Sequence, residues 1–155
     1  MSKSLEQVGA EITFEVGQID QLLNTYADLL SRVLVRDPDT VEIAAVATVL
    51  HSFYNGLENV FLTVVKDIDD SVPSGGQSHR ELLFQVTKKT DKRDALVSKS
   101  TAKLLGDYLG FRHFYRHSYS FLIDWGELRK LVTPLDQNWA TTKREFEQFI
   151  AGLKS

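Results

Sequence analysis

A chain of 155 residues with 43% hydrophobic and 25% charged residues and a net charge of -3 is sized for one globular domain with one core. It has no cysteine, which excludes disulfides and thiolate metal sites, and no apolar run of about 18 residues, which excludes a membrane-spanning helix. The first residues, Met-Ser-Lys-Ser-Leu-Glu, lack the apolar stretch of a signal peptide, so a cytoplasmic protein is expected.

In chain order, apolar residues fall at Val8, Ile12, Val16, Ile19, Leu22, Tyr26, Leu29 and Val33. Steps of three and four predict one long first helix. Asp37-Pro38-Asp39-Thr40 stops it, and Pro38 suits the first position of a second helix with Asp37 as its cap. That helix should run to about Ile68 on the stripe Val46, Val49, Leu50, Phe53, Leu57, Val60, Phe61 and Val64. Residues 71–78 form a loop by composition. Ser78 and Glu81 have capping-box spacing, which starts a short third helix at His79. Lys88 to Arg93 reads as a polar connection. A fourth helix begins near Ser100 and carries Leu104, Leu105, Tyr108, Leu109, Phe114, Phe121 and Leu122 until Trp125-Gly126 breaks or bends it. Thr133-Pro134-Leu135-Asp136 reads as the capped start of a last helix with Trp139, Phe146, Phe149, Ile150 and Leu153. With no strand pattern and no repeat, the expectation is an all-α antiparallel bundle of four to five helices, one domain over residues 1–155.

Charge is uneven along the chain. Residues 1–78 hold 4 Lys+Arg against 12 Asp+Glu, whereas residues 79–130 hold 11 against 6. A basic middle on an acidic chain attracts phosphate locally, or pairs with the acidic part inside the fold. The basic part contains the densest polar stretch, Arg112-His113-Phe114-Tyr115-Arg116-His117-Ser118-Tyr119. Successive helical residues turn by about 100°, so Arg112, Tyr115 and Tyr119 share one side and His113 and His117 a neighbouring one. Arg112 and His117 stand about 140° apart on an ideal helix. To meet at one target they need a bent arginine, a distorted helix or two facing copies of the chain, and the last of these is the expectation.

The residue types suit RNA cleavage. A 2′-hydroxyl can attack the adjacent phosphodiester if one group removes its proton and another protonates the leaving oxygen, tasks that imidazole performs near neutral pH. A fixed arginine stabilises the charge that builds on the phosphorane. A tyrosine can bond a phosphate oxygen or stack on a base. A solvated helical face accounts for the same cluster without chemistry. So would a metal held by His113 and His117 at i, i+4, although no partner motif supplies a third ligand. On the second helix His51, Asn55 and Glu58 form a polar stripe, either a wet face or the wall of a groove against the fourth helix.

Arg112-(four residues)-His117-Ser118-Tyr119 resembles the R-x4-H-x-Y motif of HEPN-superfamily ribonuclease toxins of the HepT type. The likeness extends to Phe53-Tyr54-Asn55-Gly56-Leu57-Glu58-Asn59, to His79-Arg80-Glu81-Leu82-Leu83, to Phe111-Arg112-His113 and to Leu122-Ile123-Asp124-Trp125, covering most of residues 45–130. The resemblance implies a helical homodimer with its site in the cleft between protomers, cleaving RNA through Arg112 and His117 with no metal or other cofactor. It implies a partner, an MNT-type nucleotidyltransferase antitoxin that transfers AMP from ATP to the motif tyrosine, here Tyr119. Asn55, Glu58, His113 and Arg116 are expected to line the site. The residue after the arginine is often small and polar in the superfamily, whereas here it is His113, which leaves its role open. A non-catalytic HEPN module that binds RNA or nucleotide, or serves as the partner subunit of a nucleotidyltransferase, is the alternative.

Overall fold

The computed structural model describes residues 3–153, and among these every regular element is a helix. They are α1 (Leu5–Thr25), α2 (Ala27–Val35), α3 (Thr40–Asp67), α4 (Ser78–Gln85), α5 (Lys99–His117), a 3-10 turn at Ser120–Leu122, α6 (Trp125–Val132) and α7 (Leu135–Gly152).

The four long helices form an antiparallel bundle. Glu15 and Ile19 of α1 meet Asn59 and Gly56 of α3, so the two run in opposite directions. Thr48 and Asn55 of α3 meet Tyr115 and Arg112 of α5, again in reverse order. α7 closes the bundle: Thr101 and Tyr108 of α5 meet its Glu145 and Asn138, while Gly9 and Asp20 of α1 meet its Ile150 and Trp139. α3 is the central element, with Phe53, Tyr54, Leu57, Val60, Phe61 and Val64 fully buried. Burying each such side chain contributes about 1.5–3 kcal/mol, which explains why the stripe on α3 is unbroken. An aromatic column of Phe53, Tyr108, Trp139, Phe146 and Phe61 joins α3, α5 and α7 edge to face.

Several boundaries differ from those expected. The first helix is two, broken at Tyr26, which adopts φ -105 and ψ 16. Tyr26 N still donates to Leu22 O and Leu30 N to Tyr26 O, so the apolar stripe resumes in Leu30 and Val33 as though nothing had intervened. No glycine or proline marks the break. Asp39, and not Asp37, caps α3. Asp39 Oδ1 accepts from Glu42 N at 2.8 Å and Glu42 Oε1 accepts from Asp39 N at 3.1 Å, two reciprocal bonds that Asp37 could not form with Thr40. Pro38 therefore precedes the cap. Ser78 lies inside α4, whose cap position is Gln77 with no side-chain bond. Pro134 occupies the cap position of α7 without a side-chain bond, and Thr133 instead donates to Arg129 O at the end of α6.

The largest difference concerns the fourth helix. It ends at His117, because Ser118 turns extended at φ -132 and ψ 154. Asp124 Oδ2 then accepts from Glu127 N, so Trp125-Gly126 opens α6 and does not break α5. Phe121 and Leu122 consequently stand outside any α-helix and are exposed. The loop before α5 is organised by buried Arg93, which donates to Asp69 Oδ1 at 2.6 Å and Oδ2 at 2.7 Å and to the carbonyls of Lys88, Asp94 and Gln85. No described helix is long and apolar enough to cross a membrane.

Candidate functional site

α5 is started by Ser98, whose Oγ accepts from Thr101 N, and is tied to α7 by Glu145, which accepts from Ser98 N and Thr101 Oγ1. Leu105, Tyr108 and Leu109 anchor its first turns in the core. One turn beyond Tyr108, the same face presents Arg112 and Tyr115 to α3.

Arg112 turns inward. Its Nε donates to Asn55 Oδ1 at 3.0 Å and lies 3.8 Å from Glu58 Oε1. Glu58 is buried, and its second oxygen accepts from His79 Nδ1 of α4 at 2.8 Å. Tyr115 lies over His51 with ring centroids 4.8 Å apart, and its hydroxyl is 3.1 Å from Thr48 Oγ1. Burial, followed by the positive charges of Arg112 and Arg116, lowers the His51 pKa below its ordinary value and favours the neutral imidazole. The Tyr54 hydroxyl is buried beside Glu58 and Arg112 with no hydrogen-bond partner among the described residues. Burial, and then the Glu58 charge, push its pKa upward. The stripe His51, Asn55 and Glu58 is thus the α3 wall of an α3–α5 contact and not a solvated face.

The rest of the cluster faces away. His113, Arg116 and His117 are exposed, with the two imidazole rings 4.7 Å apart. Tyr119 follows the end of the helix, 72% exposed, its ring nearly parallel to that of Phe121 at 5.5 Å. Phe114, Phe121 and Leu122 are exposed too, and Phe114 and Leu122 border a groove of about 630 Å³ between α5 and α6 that also takes in Phe111 and Leu131. α5 stays a regular α-helix to His117, so no distortion brings Arg112 and His117 to one side. Within one chain Arg112, Asn55 and Glu58 come together; His113 and His117 pair on the exposed side, and Arg116 and Tyr119 are exposed as well. No cluster of three or more metal-ligating side chains occurs among the described residues.

His79 is the member that sequence reasoning did not place. It lies 21 positions from Glu58, on a separate helix, so no helical period links the two.

A family model described as HepT-like protein matches residues 45–153. The chain belongs to the HepT-like protein family. The matched stretch starts near the beginning of α3 and runs to the end of α7, so it contains both the inward residues and the exposed ones of this HepT-like protein. No curated protein and no solved structure matches the chain.

Proposed function

We propose that this HepT-like protein is a toxin that cleaves RNA without a metal, as a homodimer, with Arg112 and His117 as its catalytic pair. The observation that carries the reading is the family match over residues 45–153 together with the motif Arg112-x4-His117-x-Tyr119 inside it. Two features support it. Arg112 is held by α3, and His117 ends α5 exposed, with the His113 ring 4.7 Å from its own. Phe114 near the end of α5 and Phe121 and Leu122 just after it are exposed apolar side chains of the kind a second protomer covers.

In this reading a dimer cleft supplies what one helix cannot, the arginine and the histidine on the same phosphate. His117 exchanges protons with the 2′-hydroxyl and leaving oxygen, and Arg112 holds the phosphorane charge. His113, its ring tilted against that of His117 at 4.7 Å, shares the proton transfer. Arg116 adds positive charge for the RNA backbone. An MNT-type nucleotidyltransferase antitoxin silences the enzyme by transferring AMP to the Tyr119 hydroxyl, forming a phosphodiester and releasing pyrophosphate from ATP. The added negative charge and bulk then occupy the path of the RNA.

The purified protein is expected to cut single-stranded RNA in EDTA. His117→Ala and Arg112→Ala should each abolish cleavage with the helical circular dichroism unchanged. RNA retained on a filter but not cut would favour a binding module instead. Co-expression with a nucleotidyltransferase of the antitoxin type should add AMP mass to the peptide containing Tyr119. An adduct mapping to another residue would remove Tyr119 from the regulation.

A further inference from the structure

We infer that Glu58 and His79 are positioning residues for Arg112, acting with Asn55 to hold its guanidinium so that the terminal nitrogens face the RNA phosphate. The inference rests on the reading of Arg112 as the phosphate-binding charge.

A guanidinium carries five N–H donors in a rigid plane, and its orientation decides which of them meet a ligand. Arg112 makes its contacts through Nε, to Asn55 Oδ1 at 3.0 Å and toward Glu58 Oε1 at 3.8 Å. Neither Nη1 nor Nη2 makes a hydrogen bond among the described residues, and neither is a buried unpartnered atom. The Nε edge is therefore held by α3, while the two-nitrogen fork, the part that matches a phosphate bidentately, has no partner among the described residues on a side chain that is 11% exposed.

The clamp is costly for a merely structural element. The Glu58 side chain is only 8% exposed, among the apolar side chains of α3. Taking a carboxylate out of water is costly, and apolar residues of similar volume often replace buried ion pairs without loss of stability. What a charged group adds is direction. Its two oxygens are used in opposite senses, Oε1 toward Arg112 of α5 and Oε2 accepting from His79 Nδ1 of α4 at 2.8 Å. His79 thus fixes the carboxylate from behind. Without it Glu58 has one partner left, and the bare carboxylate draws the guanidinium fork onto itself, in competition with RNA phosphate. Asn55 and Glu58 sit three residues apart on α3 and so address the same arginine from successive turns.

The test has two independent arms, both on the full chain. The first is the Arg112 Nε–H resonance in a ¹⁵N–¹H spectrum, assigned by its loss in Arg112→Lys. A hydrogen-bonded, exchange-protected signal is expected in the wild type. It should shift or broaden in His79→Ala and in Glu58→Gln, and persist in His79→Asn, whose amide nitrogen can take the place of the imidazole Nδ1–H. The second arm is cleavage of a single-stranded RNA oligonucleotide. A displacement of the catalytic group on the order of 1 Å predicts a fall in kcat of at least about tenfold for His79→Ala and Glu58→Gln, with recovery in His79→Asn. An Arg112 signal unchanged in folded His79→Ala and Glu58→Gln overturns the inference, as does an unchanged kcat in an active enzyme. A wild type that cuts no RNA counts against the toxin reading alone, since the resonance arm still decides the positioning.

Discussion

Substitution of Gly56 by alanine probes the crossing of α1 over α3, on the same stretch of α3 that carries Asn55 and Glu58. A Cβ at this position would meet Ile19 Cγ1 at 2.7 Å and Cδ1 at 3.0 Å. In an open helix the change from glycine to alanine stabilises by about 1 kcal/mol. Here the new carbon is driven against a buried side chain, and overpacking of this kind costs about 1–3 kcal/mol. The two effects leave Gly56→Ala less stable than the wild type by about 1 kcal/mol. Ile19→Ala removes both opposing atoms at its own cost of about 2–5 kcal/mol. In that background Gly56→Ala should stabilise by about 1 kcal/mol, a reversal of sign. Urea denaturation at one fixed protein concentration, followed by helical circular dichroism, measures the four corners of this cycle. A Gly56→Ala variant that is more stable than the wild type by about 1 kcal/mol would refute the reasoning, because Ile19 would then be yielding without cost.

Two further outcomes follow from buried and paired charges. Arg93→Ala leaves the Asp69 carboxylate without its two guanidinium bonds and should cost about 3–5 kcal/mol in the same denaturation assay, with partial recovery when Asp69→Asn is added. The Glu42 carboxyl is held from its ordinary 4.5 down to about 2 by hydrogen bonds from Arg32, the Asp39 backbone and Arg36. A carboxyl depressed in the folded state adds stability that is complete above its unfolded value and lost as pH falls through the folded one. Glu42→Gln should therefore flatten the fall of stability between about pH 4.5 and 2, seen as a smaller shift of the urea midpoint on acidification. An equal fall in wild type and variant would detach Glu42 from the acid response.

Much of the bundle is written in local periodicity. The stripe from Val46 to Val64 predicts α3 to within a residue of its end, since a helix of that length buries one continuous face whatever it packs against. The break at Tyr26 left no trace in the sequence, because the stripe keeps its phase across it and no glycine or proline stands there. The end of α5 was hidden for the opposite reason. Phe121 and Leu122 look like a continuing core stripe, yet they are exposed, and Asp124 caps a new helix just beyond them.

The divided cluster marks the boundary between the two kinds of information. The sequence by itself determined the all-helical class, the four long helices, the R-x4-H-x-Y residues and the angular separation of Arg112 from His117, because these depend only on composition and on the rotation per residue of a helix. Only the tertiary structure decided that Arg112 turns to Asn55 and Glu58, that His79 backs Glu58 from another helix, and that His113, Arg116, His117 and Tyr119 face outward. The pairings among them join residues from 21 to 57 positions apart. They arise from how helices pack against one another, and no period within a single helix records that packing.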